Sequence, residues 1–176
     1  GRGASNGRHA VAFVDAALEG VAAIRPMLER MEGIATRAAE GVSGLDSEFQ
    51  ALKTEVTRIA TEKEHNDRAL LDGSLTLDVQ VGVRGTASER LSFTVPSTTA
   101  AALGLGAAGV ANMGAADDAL TALDSATAVL GAHRDNIESM RSRVAGALAL
   151  ADEFQVVARG NLTAYRDAVL RDLNEI

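Results

Sequence analysis

One spacing in this sequence could cradle a phosphate. Gly104-Leu105-Gly106-Ala107-Ala108-Gly109 fits the dinucleotide pattern, in which glycines let backbone amides approach a pyrophosphate at a helix N-terminus. That chemistry needs a parallel strand directly before the motif and an acid about 20 residues after it. Here Pro96-Ser97-Thr98-Thr99-Ala100 precedes and Asp124 sits in a helical pattern, so the segment reads as a flexible connection. His9, His65 and His133 are never three or four residues apart, so no helix face offers a metal two imidazoles. Glu62, Glu64, His65 and Asp67 could gather a divalent ion, but acidic runs of this kind are usually solvated helix ends, and no His-Glu-x-x-His occurs. No serine stands in Gly-x-Ser-x-Gly, and the lack of cysteine removes thiol nucleophiles and thiolate metal sites. Asn161-Leu162-Thr163 is formally a glycosylation sequon, yet Leu162 falls on the apolar line of a helix. No cofactor, metal or catalytic group is expected, and the chain reads as a non-enzyme.

The elements that must carry these residues follow from composition and period. Apolar residues make up 47% of the 176, with four Phe, one Tyr and no Trp, so any core is built from Ala, Leu, Val and Ile. The net charge of −7 argues against nucleic acid or an anionic membrane surface as the main partner. No apolar run approaches the roughly 20 residues of a membrane span, and no signal-peptide pattern opens the chain. Residues 1–9 have the composition of a flexible leader.

Between Ala10 and Ala39, Val11, Val14, Leu18, Val21, Leu28, Met31 and Ile34 recur at helical spacings, with Pro26 predicting a bend or break. Glu40 to Gly44 ends this helix. Ser43 and Asp46 suggest a capping box for a second, in which Phe49, Leu52, Val56 and Ile59 form the seam. The N-terminal helices thus occupy 10–64. Over 70–96 the period falls to two: Leu75, Leu77, Val79, Val81 and Val83, turn residues Arg84 to Ser88, then Leu91, Phe93 and Val95 predict a β-hairpin. Residues 97–114 read as a loop or poorly ordered connection. Residues 115–175 lack proline and carry Asp117 and Asp118 in the expected first turn, so they predict one long helix. Leu123, Leu130, Ile137, Val144 and Ala151 recur at sevens, and the line then moves to Leu148, Leu162 and Val169. At about 1.5 Å per residue this helix reaches roughly 90 Å. The expected fold class is mainly α, a single rod domain over 1–176 with the hairpin inserted between its helical halves. Its core is expected at Leu28, Phe49, Leu52, Val56, Ile59, Leu123, Leu130, Ile137 and Val144.

These residues resemble flagellin. Glu48-Phe49 through Leu52, Ile59-Ala60, Asn66 and Leu70-Leu71-Asp72-Gly73 are similar to the family's entry into its hairpin. Gln80-Val81-Gly82 and Leu91-Ser92-Phe93 resemble its strands, and Leu103-Gly104-Leu105 the element that follows. Leu123-Asp124, Arg134, Arg143, Asn161-Leu162-Thr163-Ala164, Arg171 and Asp172 fall on its long helix. The family usually has an aromatic and a glycine where this chain has His65 and Asp67, and its large outer domains and terminal polymerising segments have no counterpart here. The resemblance implies a structural, motility-linked subunit of the bacterial flagellar filament, secreted and extracellular, with coiled-coil-like packing. The implied partners are other flagellin subunits in a homopolymer and an export chaperone. A hook–filament junction protein or a secreted helical adhesin are the alternatives. The stretch Leu28 to Arg37 resembles a patch sensed by a vertebrate innate immune receptor, with Arg30 and Ile34 as matching positions. Glu32, Gly33 and Arg37 depart from it, so weak receptor binding is expected.

Overall fold

The computed structural model describes the backbone of residues 2–80 and 90–174, with side chains over 8–79 and 90–171. Three helices dominate: α1 (Arg2–Ala39), α2 (Asp46–Glu62) and α3 (Met113–Asn174). Between α2 and α3 lie two antiparallel ladders, β1 (Glu64–His65) with β2 (Arg68–Ala69), and β3 (Thr76–Gln80) with β4 (Arg90–Thr94). The fold is mainly α with a hairpin between the helical halves, as expected. Val81, Val83 and the expected turn from Arg84 to Ser88 lie outside the described residues.

α1 is central, with α3 along one side and α2 along another. Its buried line is Val14, Ala17, Val21, Ile24, Leu28, Met31, Ala35 and Ala38, alternating by three and four. Such a stripe faces one partner groove along its length. Val11 and Leu18, expected on this line, lie at its edge, partly buried. The helix also starts at Arg2, so most of the expected leader is helical. Pro26 does not break it. Its ring sits on the exposed face while Ile24 and Leu28 on either side are locked in the core, which offsets the roughly 3 kcal/mol an interior proline costs.

α1 ends in a Schellman arrangement. Gly41 adopts φ 96°, its N–H donates to Ala38 O, and the Val42 N–H donates to Arg37 O. The expected capping box at Ser43 does not form: α2 is preceded by Leu45 and has no side-chain cap. Asp46 is otherwise engaged, because its Oδ1 accepts from the Val110 N–H at 2.8 Å. Along α2, Phe49, Leu52, Val56 and Ala60 are buried, while Ile59 packs at the rim of the core. α3 opens at Met113, two residues earlier than expected, and Asn112 Oδ1 caps the Ala115 N–H at 2.9 Å. Asp117 and Asp118 therefore fall beyond the first turn.

The segment from Pro96 to Asn112 is ordered by its own apolar residues. Thr98, Leu103, Leu105 and Val110 are buried in the same cluster as the helices or against it. A second, smaller cluster joins Ala10, Val79, Phe93, Met140 and Val144, so the hairpin is laid across α1 and α3 rather than projecting from them. Leu77 pairs with Phe93 and Val79 with Leu91, which puts Leu77, Val79 and Phe93 on the buried side.

Candidate functional site

The dinucleotide-like motif serves as a strut. Lys53 Nζ donates to Gly106 O at 3.2 Å and to Ala108 O at 2.8 Å, and Gln50 Nε2 donates to Ala108 O at 3.2 Å. Lys53 and Gln50 thus fix the connection through the carbonyls of Gly106 and Ala108, and the amide of Val110 is already taken by the Asp46 carboxylate, whereas a phosphate cradle would present free amides to an anion. The Cβ of a side chain at Gly109 would lie 3.0–3.1 Å from Gln50 and Asp46, so glycine permits the close approach.

The acidic group near His65 is dispersed. Glu62 pairs with Arg58, which also holds Glu55, and Arg58 keeps the Glu55 carboxyl below its usual range by direct hydrogen bonding. His65 stacks edge-on against Phe13, centroids 4.7 Å apart, with the Arg68 guanidinium 5.4 Å from the same ring. Among the described residues no three His, Asp or Glu side chains converge as a metal would require. His133 lies partly buried on α3; its Nδ1 has no hydrogen-bond partner, and burial pushes its pKa down.

The two receptor-patch positions do not share a surface. Arg30 is exposed and pairs with Glu48 at 3.6 Å, whereas Ile34 is 5% exposed, inside the core. The core candidates Leu28, Phe49, Leu52, Val56, Leu123, Leu130, Ile137 and Val144 are all buried.

Among the described residues, the distal part of α3 packs against no other element. α1 runs antiparallel to it: Arg141 Nε donates to Asp15 Oδ1, Val21 and Leu130 line one groove, and Ala10 meets Val144. By this register α1 ends opposite about residue 152, and α3 continues for roughly 30 Å. Over that length Phe154 is 66% exposed, and Leu162 and Tyr165 are each 70% exposed, with Val156, Val157 and Leu170 also more than half exposed. Leu162 thus sits on the line of the seam, as the sequence implied, but nothing in the described chain covers it. The signal for the exposed stretch lies in the helix lengths, 62 residues in α3 against 38 in α1, rather than in the apolar line itself.

No protein-family model matches the chain, and no curated protein matches it. Among solved structures, the crystal structure of Bacillus cereus flagellin superposes with a TM-score of 0.71 at 24% identity, covering 84% of this chain and 88% of that one. The chain has a flagellin-like fold. A structure of FliC from Burkholderia pseudomallei matches at a TM-score of 0.42 and 15% identity, over 82% of this chain and 99% of that one. The flagellin-like rod here is α1 with α3, buttressed by α2 and the hairpin.

Proposed function

We propose that this chain is the rod of a bacterial flagellar filament subunit, a secreted structural protein with no catalytic role, acting as one unit over 1–176. The observation that carries the proposal is the distal face of α3, where large apolar side chains continue a buried seam into solvent. A contiguous apolar face of this length marks an association surface. A subunit with unlike ends and a helical face to bury is suited to head-to-tail growth, which gives open filaments when the rotation between neighbours does not close. The likeness to a flagellin supports the same reading at the level of fold. Neighbouring copies are then the principal partners, with an export chaperone keeping the face covered before assembly, and the innate receptor a weak one.

The test is seeded elongation. The product of the gene that encodes this chain is salted out into filaments, sheared, and offered fresh monomer, with growth followed by light scattering and negative-stain microscopy. Elongation of the seeds supports the proposal. A product that forms no filaments and adds to none overturns it in favour of a junction protein or an adhesin.

A further inference from the structure

We infer that the outer edge of β4 takes up an extended acidic segment of a partner protein as a third antiparallel strand, with a carboxylate of that segment on Arg143. The inference goes beyond the filament reading and does not rest on it. The pairing of the ladder fixes which backbone groups are spare. The Val95 N–H donates to Leu75 O at 3.0 Å, so by the alternation of an antiparallel pair Leu77 with Phe93 and Val79 with Leu91 are the hydrogen-bonded pairs. Thr76, Asp78, Ser92 and Thr94 therefore point their N–H and C=O groups outward, those of Ser92 and Thr94 along the edge of β4. The edge of β3 is partly occupied, because β3 is laid on α1 and Arg68 Nη2 donates to Thr76 O at 2.9 Å. The edge of β4 has no such cover. Among the described residues none bonds the outward backbone groups of Ser92 or Thr94. Both residues are exposed, and the register from Arg90 to Thr94 runs without bulge or proline. Such an edge pairs with an extended segment, whose backbone supplies the alternating donors and acceptors it lacks.

The surface beneath that edge says which kind of segment. Steps of three residues turn by about 60° round a helix. On α3 they lead from Ile137, in the core shared with α1, to Met140, buried with the hairpin, and then to Arg143 and Gly146, both exposed. The hairpin thus ends over Arg143, whose guanidinium lies 5.2 Å from the centroid of Phe93. A Cβ at Gly146 would meet nothing within 4 Å, so the helix surface beyond Arg143 leaves room for a further side chain. In an added strand the residue opposite Phe93 points toward α3 as Phe93 does, and comes beside Arg143. Among the described residues no carboxylate pairs with Arg143, so a Glu or Asp at that position meets an available guanidinium. Two copies of β4 joined edge to edge would instead bring two Arg143 side chains to one face of the joined ladder, and like charges there disfavour a second copy.

Short labelled peptides of alternating Val and Thr serve as probes, one with Glu at the central Val position and its twin with Lys there. Binding at low salt is read by fluorescence anisotropy. The Glu peptide is expected to bind at least about 10-fold more tightly than the Lys twin, although the net charge of −7 would give any non-specific attraction the opposite preference. Arg143→Glu reverses the preference, and Arg37→Glu, on exposed α1 surface, leaves it unchanged. Backbone pairing is tested by N-methylation of the Glu peptide. The residue opposite Phe93 turns its N–H away from β4 and its Thr neighbours turn theirs toward it, so methylating the Thr amides abolishes binding and methylating the Val and Glu amides preserves it. Ser92→Pro, which removes an outward N–H and no bond of the ladder, also abolishes binding. Equal binding of the twins, equal effects of the two methylation patterns, no binding, binding that survives Ser92→Pro, or a preference that survives Arg143→Glu overturns the inference. A dimer of the chain alone in sedimentation that Ser92→Pro disperses identifies a second copy as the occupant and also overturns it.

Discussion

The tight turn between β1 and β2 carries an unfavourable residue that a single substitution should relieve. Asn66 and Asp67 both adopt left-handed backbone conformations, φ 50° and 59°, between the paired residues His65 and Arg68. That is the type I′ hairpin turn, for which Asn-Gly is the favoured pair because glycine has no Cβ to clash at positive φ. An ordinary L-residue in this region costs about 1–2 kcal/mol, somewhat less for Asp, while glycine gives back about 0.5–1 kcal/mol through its freer unfolded chain. Asp67→Gly should therefore stabilise by about 0.5 kcal/mol, and Asp67→Ala should fall below Asp67→Gly by about 1 kcal/mol. For a chain of this size the second gap is worth about 2–4 °C in midpoint. The turn matters beyond its four residues, since it sets His65 and Arg68 against the ring of Phe13 on α1. Urea unfolding of the three proteins, followed by helical circular dichroism, gives the ranking. An Ala variant as stable as the Gly variant would refute the assignment of this turn and the strain attributed to Asp67.

The seam should be costly to truncate: Leu130→Ala and Ile137→Ala should each lose about 2–5 kcal/mol in denaturant unfolding, as buried aliphatic deletions do. Arg143→Ala should cost about 0.5–1 kcal/mol rather than nothing, because its guanidinium lies 5.2 Å from the centroid of Phe93; a loss equal to those at Leu130 and Ile137 would refute the seam. Thr98 is fully buried and its hydroxyl has no hydrogen-bond partner, so Thr98→Val should stabilise by about 1 kcal/mol in the same assay, and a loss of stability would show that the hydroxyl is satisfied. His133 is held neutral by burial, so its folded pKa lies below the unfolded value of 6.5 and the unfolded chain takes up the proton first. Its contribution is complete above pH 6.5 and is lost as pH falls from there through the folded pKa; melting of the native protein against His133→Gln between pH 8 and 5 should show a pH-dependent difference, and parallel profiles would sink the idea.

Where a side chain's environment was set by local period, the sequence was legible. Phe49, Leu52 and Val56 on α2 and Leu123 to Val144 on α3 repeat at helical spacing and are buried as that spacing implies. The alanines of α1 were not read, because Ala17, Ala35 and Ala38 carry little hydropathy of their own and become core only when a helix lies close enough to need small residues. The capping box at Ser43 failed for a tertiary reason: Asp46, its other half, is drawn to the amide of Val110, 64 residues away, and no local pattern announces that competition. The connection over 97–112 is ordered for the same kind of reason. Its Gly and Ala content looks structureless in isolation, while Lys53 and Gln50 hold its carbonyls and Leu103 and Leu105 fill the core.

The candidate surface was readable in principle through arithmetic on lengths. α3 has 62 residues and α1 has 38, so even with perfect overlap at least 24 residues of α3 go uncovered by α1. Had the apolar line faded over those residues, the overhang would be an ordinary solvated helix end. It persists instead through Leu162, Tyr165 and Val169. A polar substitution at Leu162 should therefore leave the stability of the rod within about 0.5 kcal/mol, as surface changes do, while removing association. Leu162→Lys tests this, with thermal melting for the fold and elongation of sheared filament seeds for the surface. Loss of stability comparable to that at Ile137 would mean the distal helix is covered within the chain itself, and unchanged elongation would mean the face is not the one that associates.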